Sequence, residues 1–267
     1  MSQGLYSVSI YDVLAPDATE YIINHAELNC VVTSLPHIPT LLKLKGALPN
    51  LKMIVSLDPL DAGEQDGHSK RALLQSMAAG QDLTIYTIDQ VEALGEASKR
   101  GYNPPSPSDI VTINYTSGTT GPPKGVVLTH KSAVAATSAG LITIGQGRGD
   151  TMCSYLPLAH IYARLAEHCA FWGGARIGYF HGNIVELVDD LKLLKPTGFM
   201  SVPRLYSRFG TAIKAATVEA PGFKGALSRH IVATKTANLK NPDPSQATIK
   251  HAIYDRIWAK KVAAALG

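Results

Sequence analysis

Charged residues make up only 17% of this 267-residue sequence and aromatic residues only 7%, while 45% are hydrophobic. So little charge beside so much apolar material excludes a predominantly disordered chain, which needs the opposite balance. Cysteine is scarce. Cys30, Cys153 and Cys169 are scattered with no CxxC spacing, which excludes a disulfide framework and fits reduced thiols in the cytoplasm. Long apolar runs are missing too. The longest uncharged run, Ser132 to Gly147, is full of Ser, Thr, Gly and Gln, so no membrane-spanning helix is expected. The opening Met1-Ser2-Gln3-Gly4 lacks a basic segment followed by an apolar one, so no secretory signal is expected. A net charge of +4 is too small to imply nucleic acid.

What charge there is lies unevenly. Residues 204–261 hold eleven Lys and Arg against three Asp and Glu, a net of +8, so the preceding residues sum to slightly below zero. A basic C-terminal quarter suits phosphates or an anionic membrane surface, and equally the solvated face of ordinary helices.

For the first two hundred residues, β-branched runs alternate with helical patterns. Strands are expected at 30–33, 53–57, 83–86, 110–115, 126–128, 152–155, 176–179 and 199–202. Helices are expected at 18–27 with Asp17 as N-cap, 39–48 and 88–97, with others between the later strands. This rhythm predicts an α/β fold with a mostly parallel sheet. Residues 58–70 read as a surface loop, and the prolines of Gly101 to Ser108 as a linker. After Pro203 the strands stop, and 204–217, 224–239 and 246–266 read as helices. In the last of these, Ile249, Ile253 and Ile257 repeat every four residues, which predicts one apolar face. An α/β chain that closes on three helices at Leu266-Gly267 reads as cut rather than completed.

The informative residues are Tyr115 to Gly125, YTSGTTGPPKG. Gly118, Gly121 and Gly125 let the backbone approach a ligand closely, and successive N–H groups in such a loop form an anion-binding concavity. Ser117, Thr119 and Thr120 add hydroxyl donors, and Lys124 adds a compact positive charge. No acidic residue occurs from Thr112 through His130. The chemistry favours a polyphosphate. It is not a Walker A loop, because Lys124 follows two prolines and precedes a strand rather than a helix. Nor is it a G-x-S-x-G elbow, so Ser117 is no acylated nucleophile.

YTSGTTGPPKG resembles the phosphate loop of the adenylate-forming (AMP-binding) superfamily. Three further segments are similar to long-chain acyl-CoA synthetases, most of all the fungal branch: LPLAHIYAR at 156–164, KPTGFMSVPRLYSRF at 195–209 and IYDVLAPDATEYIINHAE at 10–27. The resemblance implies part of the large N-terminal domain of such an enzyme. Within 1–267, an α/β portion would span 1–100, a proline-rich connection 101–109, the phosphate-loop α/β portion 110–203 and a basic helical segment 204–267. It implies activation of a long-chain fatty acid with ATP and Mg2+, then transfer of the acyl group to coenzyme A. Thr116, Ser117, Gly118, Thr119, Thr120, Gly121, Lys124 and Gly125 would grip the β- and γ-phosphates, with Thr119 helping to hold the metal. His160 would lie beside the reacting carboxylate, in catalytic position. Peripheral contact with an organelle membrane would fall to the basic helices.

Some residues stay open. Tyr162 and Trp172 read as core more than as lining of an acyl channel, and Arg204 as structural or at the rim of the site. Tyr162-Ala163-Arg164 departs from the Phe-Glu-Arg frequent in relatives, which puts a charge pair there in doubt. No Tyr-Gly-x-Thr-Glu segment is present, nor the later ribose-binding Asp, hinge and adenylation lysine of the family. The matching portion is therefore expected to show little or no adenylation by itself. The alternative is a non-catalytic phosphate- or partner-binding remnant of the same fold.

Overall fold

The computed structural model describes residues 3–12, 14–62, 70–116 and 121–264, the side chains at 261 and 264 excepted. It divides into two units, Met1–Ala135 with Ala159–Ile161, and Ala136–Leu158 with Tyr162–Gly267.

In the first unit, strands β2 (Cys30–Thr33), β3 (Met53–Ser56) and β4 (Thr84–Thr87) form a parallel sheet in that order. Parallel neighbours need crossovers, which helices α2 (Ile38–Leu44) and α3 (Lys70–Ala79) provide. The central strand shows why the sheet holds. Ile54, Val55 and Ser56 of β3 are all buried, whereas edge strand β2 leaves Val32 57% exposed. Ile38, Leu41 and Leu42 share one face of α2 and pack with Leu48, Leu51, Ile54, Leu60 and Ile85 into one core.

Local chemistry sets the helix starts. Helix α4 (Ile88–Ser98) opens on a capping box in which Thr87 and Gln90 satisfy each other's backbone N–H groups. Helix α1 (Pro16–His25) opens with Pro16 in its first turn and Ala15 as N-cap. Asp17 lies inside that turn and is not the cap, since proline's fixed φ already starts the helix.

A second sheet in this unit orders β1 (Ser7–Ser9), β5 (Ile110–Thr116) and β6 (Lys124–Thr129). Strand β1 runs parallel to β5, and β6 returns antiparallel. Helix α5 (His130–Ile144) follows.

In the second unit, β7 (Thr151–Ser154) and β8 (Arg176–Tyr179) are parallel, joined through α6 (Ile161–Gly173). All of β7 is buried. Helix α7 (Leu187–Leu194) puts Leu187 and Leu191 against Cys153 and Tyr155. The predicted strand 199–202 is not one. Only Gly198 bridges Met152, and the segment is held instead by Tyr155 Oη donating to Ser201 Oγ and Tyr206 Oη to the Phe199 carbonyl, each at 2.6 Å. Tyr162 and Trp172 are exposed, 41% and 54%, so the reading of them as core is corrected.

Helices α8 (Pro203–Ala216) and α9 (Gly222–Leu239) form as expected. The predicted helix 246–266 shortens to α10 (Ala252–Tyr254), a π turn over Asp255–Ala259 and α11 (Lys260–Ala264). Asp243 draws the Ser245 N–H and Gln246 amide to its carboxylate, which holds that stretch in a turn. Ile249 therefore lies outside the helix, and Ile249, Ile253 and Ile257 are all exposed rather than stacked in a core. Lys235 pairs with Asp255, and Trp258 Nε1 donates to Ser228 Oγ at 3.0 Å. Among the described residues, no helix is long and apolar enough to cross a membrane.

The turn between β8 and α7 carries a charge clasp. His181 Nδ1 lies 2.8 Å from Asp190, and its Nε2 lies 3.0 Å from Glu186. Both ring nitrogens donate only when the ring is protonated. The Asp190 hydrogen bond, then the charges of Asp190 and Glu186, push the His181 pKa up, while His181 pulls the Asp190 carboxyl down. A raised histidine stabilises the fold fully below its ordinary pKa of about 6.5 and loses that contribution as pH rises through the raised value; a lowered aspartate loses its own below about pH 4. Thermal midpoints from pH 6 to 9 should therefore fall with pH, and His181→Gln should flatten that slope. An unchanged slope in the variant would show the clasp to be neutral.

Candidate functional site

The site is built on β5 and β6. Along β5, Val111, Thr112, Asn114 and Tyr115 are buried and Thr116 emerges exposed at the carboxyl end. Strand β6 returns so that Gly125 faces Tyr115 and Lys124 faces Thr116. This last rung forms the neck of the loop at 117–123. Ser117, Gly118, Thr119 and Thr120 lie outside the described residues.

Gly121 has φ +95°, in the region that favours glycine, just before Pro122-Pro123. Gly125 is favoured for a different reason. A Cβ there would stand 3.1 Å from Ile113 Cγ2 and 3.2 Å from Tyr115 Cζ, so those side chains would have to give way by a few tenths of an ångström. Lys124 is exposed at the neck and forms no ion pair among the described residues. No carboxylate occurs in the sequence from Thr112 through His130, and the neck is a cationic end of a strand pair. Among the described residues, no group of three His, Cys, Asp or Glu is placed to hold a metal ion.

His160 belongs to the same unit. Asn114 Nδ2 donates to the Ala159 carbonyl at 2.7 Å, which pins the residue before His160 to the strand that feeds the loop. Asn114 Oδ1 lies 3.2 Å from Thr112 Oγ1, which in turn lies 3.0 Å from the Ser7 carbonyl. A buried amide without such partners would destabilise the sheet by about 1–3 kcal/mol. His160 is exposed at the start of α6.

Sequence reasoning passed over Asn114. Its signal was available: an amide in the middle of Ile-Val-Thr-Ile-Asn-Tyr needs a partner. Glu167 was missed as well. In the second unit, this buried carboxylate accepts from Ser154 Oγ at 2.6 Å, at the end of β7. Arg164, one turn earlier, donates Nε to the Leu158 carbonyl at 3.3 Å, and burial lowers its pKa. Helix α6 thereby fixes both ends of segment 154–158. Ala163 is itself buried, and Glu167 one turn on supplies the buried carboxylate of this helix. Arg204 is exposed in the first turn of α8.

The description of the family model that matches residues 1–246 reads AMP-binding enzyme. The chain is 90% identical over its whole length to "Acyl-CoA ligase 891, peroxisomal" of Penicillium brevicompactum, of which it covers 38%. It is 35% identical over 95% of its length to "Long chain acyl-CoA synthetase 7, peroxisomal" of Arabidopsis thaliana, of which it covers 35%. The chain thus spans little more than a third of these relatives. Among solved structures, the A domain of carboxylic acid reductase from Segniliparus rugosus, in complex with AMP and a co-purified carboxylic acid, aligns with TM-score 0.64 at 21% identity. That match covers 87% of this chain and 38% of the reductase chain and shows the shared α/β fold. With nine-tenths of its length under one family model, the chain belongs to the AMP-binding enzymes.

Proposed function

We propose that the chain supplies the phosphate-gripping portion, inactive in adenylation by itself, of an enzyme for the ATP-dependent, AMP-forming activation of a long-chain fatty acid followed by acyl transfer to coenzyme A. The observation that carries this reading is the Thr116–Lys124 rung, which sets an unpaired cation and a glycine-rich loop at the end of β5. In the first step a carboxylate oxygen attacks the α-phosphorus, the bond to the bridging oxygen breaks, and pyrophosphate leaves. In the second, the coenzyme A thiol displaces AMP from the acyl carbon. Neither step needs a protein nucleophile, so positioning and charge neutralisation are the chain's task.

Lys124 neutralises charge on the β- and γ-phosphates, and Thr116, Gly121 and Gly125 shape the neck around them. Ser117, Gly118, Thr119 and Thr120 are assigned the backbone and hydroxyl donors of the loop. Mg2+ would further neutralise the phosphates, with the Thr119 hydroxyl helping to hold it. His160, steadied through Asn114 and Ala159, orients the fatty-acid carboxylate. The relatives' names supply long-chain acyl substrates and a peroxisomal compartment, and both are carried over here.

Contact with a membrane surface rests on α8. Its Leu205 and Phe209 pack on the core beside Tyr155, which turns Arg204, Arg208 and Lys214 outward on a face with no carboxylate.

Two measurements test the reading. Lys124→Ala should weaken magnesium ATP and magnesium pyrophosphate alike by roughly ten- to a hundredfold, the worth of about 1.5–3 kcal/mol for a charge-assisted contact. AMP, which lacks both outer phosphates, should bind the variant as it binds the unmutated chain. Equal weakening for AMP, or none for any ligand, would contradict the assignment. For the membrane, binding to vesicles rich in phosphatidylserine should exceed binding to neutral ones, fade with salt, and drop when Arg204, Arg208 and Lys214 are all changed to Gln. Indifference to lipid charge would remove that part of the proposal.

A further inference from the structure

We infer that His25 is a positioning residue for the phosphate grip, acting through the hydroxyl of Tyr115. His25 is the last residue of α1, a helix fixed to the first unit by buried Ile22 and Ile23. Its Nδ1 lies 2.7 Å from Tyr115 Oη, across 90 residues of sequence. The two rings meet edge to face, with centroids 5.8 Å apart at 83°. Tyr21 stacks on the other side of the imidazole at 5.2 Å and 24°, so the ring is held from two directions.

Tyr115 is only 7% exposed and immediately precedes Thr116 at the neck. Burial, aided by the neighbouring Tyr21 and Tyr6, pushes its pKa up, so the phenol keeps its proton. The hydroxyl and Nδ1 share one hydrogen bond, which either atom can donate.

The ring so fixed is the surface on which Gly125 closes. The absent Cβ of Gly125 would lie 3.2 Å from Tyr115 Cζ and 3.4 Å from its Oη. The phenol leaves no ordinary room for a Cβ at Gly125, and Lys124 is the next residue. A displaced phenol would disturb the rung that carries the cation. Binding groups need their supports held to about half an ångström. His25 itself is exposed, and an apolar residue at position 25 would leave the Tyr115 hydroxyl without its partner in this part-buried bond. Segment 10–27 stood out in the sequence for its resemblance, yet no step assigned so far uses His25.

The inference rests on the phosphate-loop reading, so the test follows two signals in the full chain: affinity for magnesium pyrophosphate, and amide hydrogen exchange. His25→Ala should weaken pyrophosphate about five- to tenfold, the worth of one hydrogen bond. Exchange at Thr116, Gly125 and Val126 should accelerate while the β2–β3–β4 sheet keeps its protection. Tyr115→Phe should match it, and the double variant should be no worse than either single one. His25→Asn, which keeps a polar atom near the Nδ1 position, should recover affinity to within about twofold of the unmutated chain. Unmutated affinity and unmutated exchange in His25→Ala would overturn the inference and leave the phosphate reading intact. So would a loss of protection spread evenly over both sheets, which marks a general structural role. Failure of the unmutated chain to bind pyrophosphate would overturn the phosphate reading, and the positioning role with it.

Discussion

The rung that pairs Thr116 with Lys124 turns two strands into a clamp. It closes a loop rich in glycine and hydroxyl groups and brings a lysine to the loop's mouth, in a stretch of sequence without carboxylates. The rest of the first unit serves this rung. Strand β1 and Thr112 support Asn114, and Asn114 holds Ala159 and so the residue before His160. His25 and Tyr115 set the surface against which Gly125 lies. The buried side chains of Thr112, Asn114 and Tyr115 each have a hydrogen-bond partner here, and such networks rigidify a site because a missing partner is costly.

A loop of this kind answers a specific demand. Pyrophosphate must be gripped while it is still part of ATP and released once cleaved. In the proposed function a single exposed lysine would supply charge, and the glycines would supply N–H donors without side-chain bulk. At the neck, Gly125 lies close against Ile113 and Tyr115.

Much of the fold was legible in the sequence because its strands are short β-branched runs between helices. Cys30–Thr33 and Arg176–Tyr179 form where the pattern puts them. Strand β1 was not legible, since Ser-Val-Ser is too short and polar to stand out and becomes a strand only by pairing with β5. Phe199–Val202 erred the other way: its pattern suits a strand, but tyrosine hydroxyls occupy its polar groups and only Gly198 finds a ladder partner. The C-terminal isoleucines kept helical spacing through a stretch that Asp243 holds as a turn. At the candidate site, residues of the loop announced themselves by type. His25 did not, because its meaning depends on a partner 90 residues away, and Asn114 showed its need for a partner but not which one, 45 residues on.

The central claim is that the Thr116–Lys124 neck holds the outer phosphates of ATP. Backbone amide shifts in the nuclear magnetic resonance spectrum of the full chain, titrated with magnesium ATP, test it most directly. The account predicts saturable shifts concentrated at Thr116 and at Gly121 to Val126, weaker ones at Ala159 and His160, and none in the β2–β3–β4 sheet. Saturable shifts centred elsewhere, with the neck unmoved, would contradict it.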